Sequence, residues 1–338
     1  MQHCRRRPTI LNFFLIIIPI GSVCSFHHTD FPAYPMTGRL ANRYFARLQL
    51  DPSTLDVEPT LDKLRLLQEH HLKHIPFENT AQHGVVGGPA VLDVSVTADK
   101  ILTKKRGGFC FELNGLFAAL LEELEYQVTR VPSIVWIPGL EFQGIPSHCI
   151  LAVKCQDSRE IYMTDVGFGE PALHPLRYDS SGQVQTTPDG MQSKMLRQHG
   201  DSNEHIVLYW FKGGQWIPRL RWNSHDVFLG AAAPALSDFS SGLAYVQQPS
   251  SIFSQKLIMC LLTDQRKVSL AGNKLKITGP PRFPKDSNTV EPPKVEILHS
   301  VQQIRQVMKD TFGIPMESTE GLDLTRSLNA SPEVWDHM

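Results

Sequence analysis

One stretch narrows the possible folds and chemistry of this chain more than any other: Lys105-Arg106-Gly107-Gly108-Phe109-Cys110-Phe111-Glu112-Leu113-Asn114. The paired glycines make a flexible turn. That turn runs straight into residues at helical apolar spacing, Leu113, Leu116, Phe117, Leu120, Leu121 and Leu124. A cysteine therefore stands at the start of a helix. Unpaired amides and the positive end of the helix dipole favour a thiolate there, and the thiolate is the reactive form. Free cysteine is more often a buried packing residue; the Arg-Gly-Gly lead-in and the helix-start position mark Cys110 as a candidate nucleophile.

A thiol nucleophile needs a neighbouring base. His148 opens an apolar strand, His148–Val153. Asp165 ends a second one and precedes Val166-Gly167-Phe168-Gly169. If those strands are antiparallel neighbours, Asp165 can hold the imidazole in the tautomer that accepts the thiol proton. Taken singly, each residue also fits ordinary core or turn chemistry.

The first third reads helical. Arg39–Leu48 carries Leu40, Tyr44, Phe45 and Leu48 at helical spacing, and Thr60 can cap a helix that Pro76 ends. Thr97 can cap a short helix through Ile101 and Leu102. The middle third reads as strands: Val128–Val131, Ile134–Ile137, His148–Val153, Ile161–Val166 and Ile206–Phe211, with Asp179–Ser202 as a long polar loop. Leu257–Leu262 and Leu275–Thr278 follow, then a Pro-rich stretch, Gly279–Pro293, and an amphipathic helix marked by Val301, Ile304, Met308 and Phe312. Helices first, strands next and mixed elements last make an α+β layout.

Composition removes several classes of function. With 33 Lys+Arg against 34 Asp+Glu the net charge is -1, so there is no basic footprint for nucleic acid. Six cysteines without a C-x-x-C pair argue against a zinc ribbon, a thioredoxin-type centre or a disulfide framework. Cys149 and Cys155 read as structural. His70 and His74 have a zinc-binding spacing but no evident third ligand, so His70, His71 and His74 read as a solvated helix face and no metal is expected.

Together these residues resemble the arylamine N-acetyltransferase family over roughly residues 36–320. Three motifs carry the resemblance: Ile75-Pro76-Phe77-Glu78-Asn79, Arg106 through Asn114, and Asp165-Val166-Gly167-Phe168-Gly169. The Cys–His–Asp order agrees as well. The resemblance implies a helical domain with the nucleophile (36–126), a β-barrel-like domain (127–240) and an α/β lid (241–320), flanked by a leader (1–35) and a tail (321–338). It implies a papain-like Cys110–His148–Asp165 triad and a ping-pong transfer from acetyl-CoA to arylamines, arylhydrazines or arylhydroxylamines, a xenobiotic-metabolism chemistry run by a monomer. It also implies a partly buried Arg106–Glu78 ion pair, Phe168 lining the acceptor pocket and Phe109 flanking the nucleophile as substrate contacts, with core packing as the alternative for either ring, and Tyr245, Ser250 and Ser251 as donor contacts, with ordinary strand–turn polarity as the alternative. Other acyl-CoAs, malonyl-CoA among them, stay open as donors. A thiol hydrolase is a weaker alternative, and a non-enzymatic binding module would require the triad to be accidental.

The N-terminus pulls another way. Arg5-Arg6-Arg7, the apolar run Ile10–Ile20 and Ser22-Val23-Cys24 have the layout of a secretory signal. The alternative is an upstream extension, with the folded protein starting near Met36. A reactive thiolate and acetyl-CoA belong to a reducing compartment, which favours a cytoplasmic location. The sequon Asn329-Ala330-Ser331, followed by Pro332, adds little.

Overall fold

A computed structural model describes residues 39–325, apart from Val86, Gln143 and the segments 200–203, 229–231, 264–265 and 280–291. The leader, most of the Pro-rich stretch, the end of the tail and the sequon lie outside the described residues.

Helices α1 (Leu40–Leu48), α2 (Leu61–His74), α3 (Val94–Ala98) and α4 (Cys110–Glu123) build the first layer. The Thr60 hydroxyl accepts from the Lys63 amide at 3.3 Å, so Thr60 caps α2 as its position suggests. Asp93, not Thr97, caps α3 by accepting from the Val96 amide at 2.9 Å. Thr97 is buried within that helix, and the chain then widens into a π-turn over Asp99–Thr103. Nearly every side chain of α4 is buried, because the helix is packed on all sides.

The histidines of α2 depart from the sequence expectation. His71 is fully buried with its Nδ1 at 2.6 Å from the Tyr44 hydroxyl, and His70 Nδ1 lies 3.0 Å from the Leu48 carbonyl oxygen. His74 Nδ1 lies 2.9 Å from the His70 carbonyl oxygen. The face is packed against α1 rather than solvated. Among the described residues no group of three or more His, Cys, Asp or Glu could hold a metal.

An eight-stranded antiparallel sheet follows in the order β5-β4-β3-β2-β9-β8-β7-β6. Its strands are β2 (Gln127–Val135), β3 (His148–Lys154), β4 (Ile161–Thr164), β5 (Leu176–Arg177), β6 (Gln185–Thr186), β7 (Gln192–His199), β8 (Glu204–Lys212) and β9 (Gln215–Asn223). The segment after β5 bridges back to β7 at Ser181–Leu196, so the sheet nearly closes into a barrel around Ile150, Met163, Phe168, Met195, Leu208, Trp210 and Trp222. Strand β7 lies in the expected polar loop. It shows the core only Ser193 and Met195, both fully buried, so its outward residues hide it. Strand β9 is masked by Pro218, which pairs where the β8–β9 register shifts.

Helices α5 (Ser240–Val246) and α6 (Ile252–Gln255) lead to a second antiparallel sheet. Its order is β1 (Phe77–Glu78), β10 (Ile258–Leu262), β11 (Lys267–Ala271), β12 (Lys274–Thr278) and β13 (Lys294–Ile297). Helix α7 (Val301–Phe312) covers it through Ile304, Met308 and Phe312. Strand β1 comes from the helical third of the chain, so the third layer is not contiguous in sequence. Among the described residues no helix is long and apolar enough to cross a membrane.

Two measurements check this packing. Thr60→Ala should cost about 1 kcal/mol in urea unfolding. Burial, aided by Arg47 and His74, lowers His71 to about 3, and burial lowers His74 to about 4. Their stabilisation is complete above the unfolded-state value of about 6.5 and is lost as pH falls from there toward those folded values. Unfolding midpoints should therefore drop over that window, and His71→Asn should flatten the drop.

Candidate active site

Cys110 is the first residue of α4 and is 6% exposed. The approach to it is fixed by close backbone contacts. The Gly108 amide donates to the Pro76 carbonyl at 3.3 Å, and the Glu78 amide donates to the Gly108 carbonyl at 2.7 Å. A Cβ on Gly107 would lie 1.9 Å from the Pro76 carbonyl oxygen, so no other residue fits there. At the helix start the Phe109 amide donates to Glu112 Oε2 at 3.3 Å.

His148, 2% exposed, opens β3, and Asp165 follows β4, its antiparallel neighbour. His148 Nε2 lies 2.8 Å from Asp165 Oδ2. The Cys110 thiol adjoins the same imidazole and donates to the Ser147 carbonyl oxygen at 3.7 Å. Asp165 is itself held. Its Oδ1 accepts from Asn114 Nδ2 and from the Gly167 amide, both at 2.8 Å. Asn114 also donates to the Cys149 carbonyl at 2.6 Å and accepts from the Val166 amide at 2.9 Å. A Cβ on Gly167 would lie 2.6 Å from Cys110 Cα, so the Asp165–Gly169 segment lies directly on Cys110.

Burial raises the Cys110 thiol above its ordinary value, and contact with His148 opposes that. Burial would lower His148, but Asp165 and then Cys110 outweigh it and hold the imidazole up to about 10. The ring is thus a proton store beside a thiol, the elements needed for acyl transfer through sulfur.

The N-acetyltransferase family matches residues 60–320. The chain belongs to that family. A Gallus gallus arylamine N-acetyltransferase, a pineal gland isozyme, is 38% identical over 246 residues, covering 69% of this chain and 81% of its own length. The solved Mycobacterium smegmatis arylamine N-acetyltransferase has a TM-score of 0.71 at 26% identity, covering 85% of this chain and 98% of its own. The Mycobacterium marinum arylamine N-acetyltransferase, solved in complex with CoA, has a TM-score of 0.69 at 26% identity, with coverage of 85% and 96%.

Other expected residues of this N-acetyltransferase divide. Phe168 sets its ring edge-on to His148, with centroids 5.3 Å apart. Phe109 is 1% exposed and packs among Phe111 and Phe253, so its ring belongs to the core. The Tyr245–Ser251 segment is helix, turn and helix start rather than strand. Tyr245 is 41% exposed and lies beside Gly144, Ser250 is exposed, and Ser251 accepts from the Phe253 amide at 3.3 Å as the cap of α6. Arg106 Nε and Glu78 Oε1 lie 3.7 Å apart and are fully rather than partly buried. Asn114 closes the motif that begins at Arg106, and that motif assigns it no role. Its position one helical turn after Cys110, on the same face, is the signal that marks it.

The barrel interior beside Asp165 and Phe168 holds a cavity of about 20 Å³, room for about one water and not for an aryl ring. A groove of about 520 Å³ bounded by Arg65, Tyr162, His174 and Arg177 includes none of the three residues.

Because His148 is raised on folding, its stabilisation is complete below about pH 6.5 and is lost as pH rises toward 10. Unfolding free energy should therefore fall between those values, and fall less in His148→Gln.

Proposed function

We propose that this N-acetyltransferase moves an acetyl group from acetyl-CoA to arylamines, arylhydrazines or arylhydroxylamines through a thioester on Cys110. The observation that carries the reading is the buried chain of contacts from the Cys110 thiol through His148 to Asp165 at the start of α4.

The Cys110 thiolate attacks the thioester carbonyl, the new carbon–sulfur bond forms, and the CoA thiolate leaves with the proton held on His148. In the second half the acceptor nitrogen attacks the acetyl carbon, His148 takes the nitrogen's proton, and the Cys110 thiolate is released. Loss of the thiolate on acetylation removes one of the interactions that keep His148 protonated, which lets the ring give up its proton and stand neutral, able to take the proton of the acceptor nitrogen. Amides of the first turn of α4 supply donors for the tetrahedral oxyanion. Asp165 and Asn114 orient the imidazole.

Phe168, edge-on to His148, is the acceptor contact in this reading. Tyr245 is a donor contact exposed at the same side of the chain as the β2–β3 connection, with Gly144 next to it; Ser250 and Ser251 are weaker candidates. The three layers act as a helical domain, a barrel and a lid within a monomer. Acyl-CoA supply and a reduced thiol fit the cytoplasm.

Cys110→Ala and Cys110→Ser should lose acetyl transfer with the fold retained. Incubation with acetyl-CoA alone should add one acetyl group to the Cys110 peptide. A panel including malonyl-CoA, scored by intact mass, identifies the preferred donor. An unmodified Cys110 peptide with every donor, or turnover by Cys110→Ala, overturns the reading.

A further inference from the structure

Four ionisable side chains are buried together behind the nucleophile turn, and the Arg106–Glu78 pair is only half of the set. Lys100 Nζ lies 2.7 and 2.9 Å from the two carboxylate oxygens of Glu112 and 3.7 Å from Glu78 Oε1. Side-chain exposures are 11% for Lys100, 3% for Glu112, 0% for Glu78 and 4% for Arg106, so water screens little of their charge. The set balances at two cations and two carboxylates. Its 3.7 Å contacts to Glu78 Oε1 are ionic only, since that oxygen has no hydrogen bond, whereas Glu78 Oε2 accepts from the Thr80 amide at 2.5 Å.

Lys100 is presented on the π-turn Asp99–Thr103, a widened turn of a kind that recurs at functional sites. Two arginines of α1 clamp that turn. Arg43 donates to the Ala98 carbonyl and the Thr103 hydroxyl, at 3.3 and 2.9 Å, and Arg47 donates to the carbonyls of Ile101 and Lys105, at 3.3 and 3.4 Å. The ammonium is therefore held against Glu112 rather than carried on a free arm. Glu112 in turn holds the Phe109 amide and lies in the first turn of α4 with Cys110.

We propose that Lys100 is a positioning residue for the chemistry of Cys110: it keeps Glu112 on the Phe109 amide and cancels the Glu112 charge within one helical turn of the thiol. This rests on the acyl-transfer reading above. The groups facing Glu112 are Lys100 from the π-turn and Glu78 from β1, with Arg106 behind Glu78. Those facing Cys110 are His148 and Cys149 from β3 and Asp165 after β4. Burial and Glu78 push Glu112 up while Lys100 pulls it down, so Lys100 is the cation that keeps this carboxylate in check.

The test is the pH dependence of Cys110 alkylation by iodoacetamide in the full chain, resolved by peptide mass. It needs neither donor nor acceptor. Lys100→Met should raise the midpoint by about one pH unit and slow alkylation near neutrality by about tenfold. Lys100→Arg should hold the midpoint, and Lys100→Met combined with Glu112→Gln should return it. A strut without electrostatic effect would lower the melting temperature and leave the midpoint in place. Should Lys100→Met fail to fold, Glu112→Gln alone should lower the midpoint, because the set is then left with two cations against the single carboxylate of Glu78. An unmoved midpoint in Lys100→Met, an equal rise in the single and double variants, or an unmoved midpoint in Glu112→Gln overturns the proposal. Acetyl transfer by the wild-type chain is scored separately, so failure of the acyl-transfer reading is distinguishable from failure of the Lys100 assignment.

Discussion

The two-residue strand Phe77–Glu78 is the constraint on which the rest of the structure depends. Its Glu78 amide bonds to Gly108 in the turn before Cys110, and its residues pair with Met259 and Cys260 of β10. A strand this short has little intrinsic stability. It persists because Gly107 lets the turn before Cys110 approach the Pro76 carbonyl, and because the buried Glu78 carboxylate faces Arg106 and Lys100. Asn79 continues the tie, donating to the carbonyls of Phe253 and Lys256 and accepting from the Ile258 amide. The helical layer, the turn before Cys110 and the second sheet thus share one seam.

Two strands serve two cores each. Cys149, Leu151 and Val153 of β3 face the helical core, while Ile150 and Ala152 face the barrel. Cys260 and Leu262 of β10 face the helical core, while Met259 and Leu261 face α7. A strand buried on both faces cannot slip by one residue without burying the wrong set on each side. The register of β3 carries His148, so the imidazole is located by packing over the whole strand rather than by local contacts. Phe168 and Arg219 extend the same logic outward, since the guanidinium lies over the rings of Phe168 and Trp210 and braces the face that His148 meets.

Elements with strong local signals were legible in the sequence. Thr60 and the leucines of α2, the Gly-Gly turn into α4, and the apolar run of β3 each carry a pattern that survives in the fold. Strand β7 was not legible, because only alternate side chains meet the core and its other residues are polar. The role of His71 was hidden for a different reason. Its partner Tyr44 lies on another helix, and no spacing within α2 announces a buried hydrogen bond to it. Lys100 was likewise invisible, because a π-turn shifts its side chain away from the helical face that periodicity assigns.

Sequence alone determined which residue types are available for the chemistry and where the chain must turn: a cysteine after two glycines at a helix start, a histidine opening a strand, and an aspartate before a glycine-rich turn. Each is a local property of a few consecutive residues. Tertiary structure decided that these three meet, that Asn114 and Gly167 hold the aspartate, and that Lys100, Glu112, Glu78 and Arg106 neutralise one another out of water. Charge balance and hydrogen-bond completion in a buried site depend on distances between segments far apart in the chain, and those distances exist only once the two sheets and the helical layer have packed.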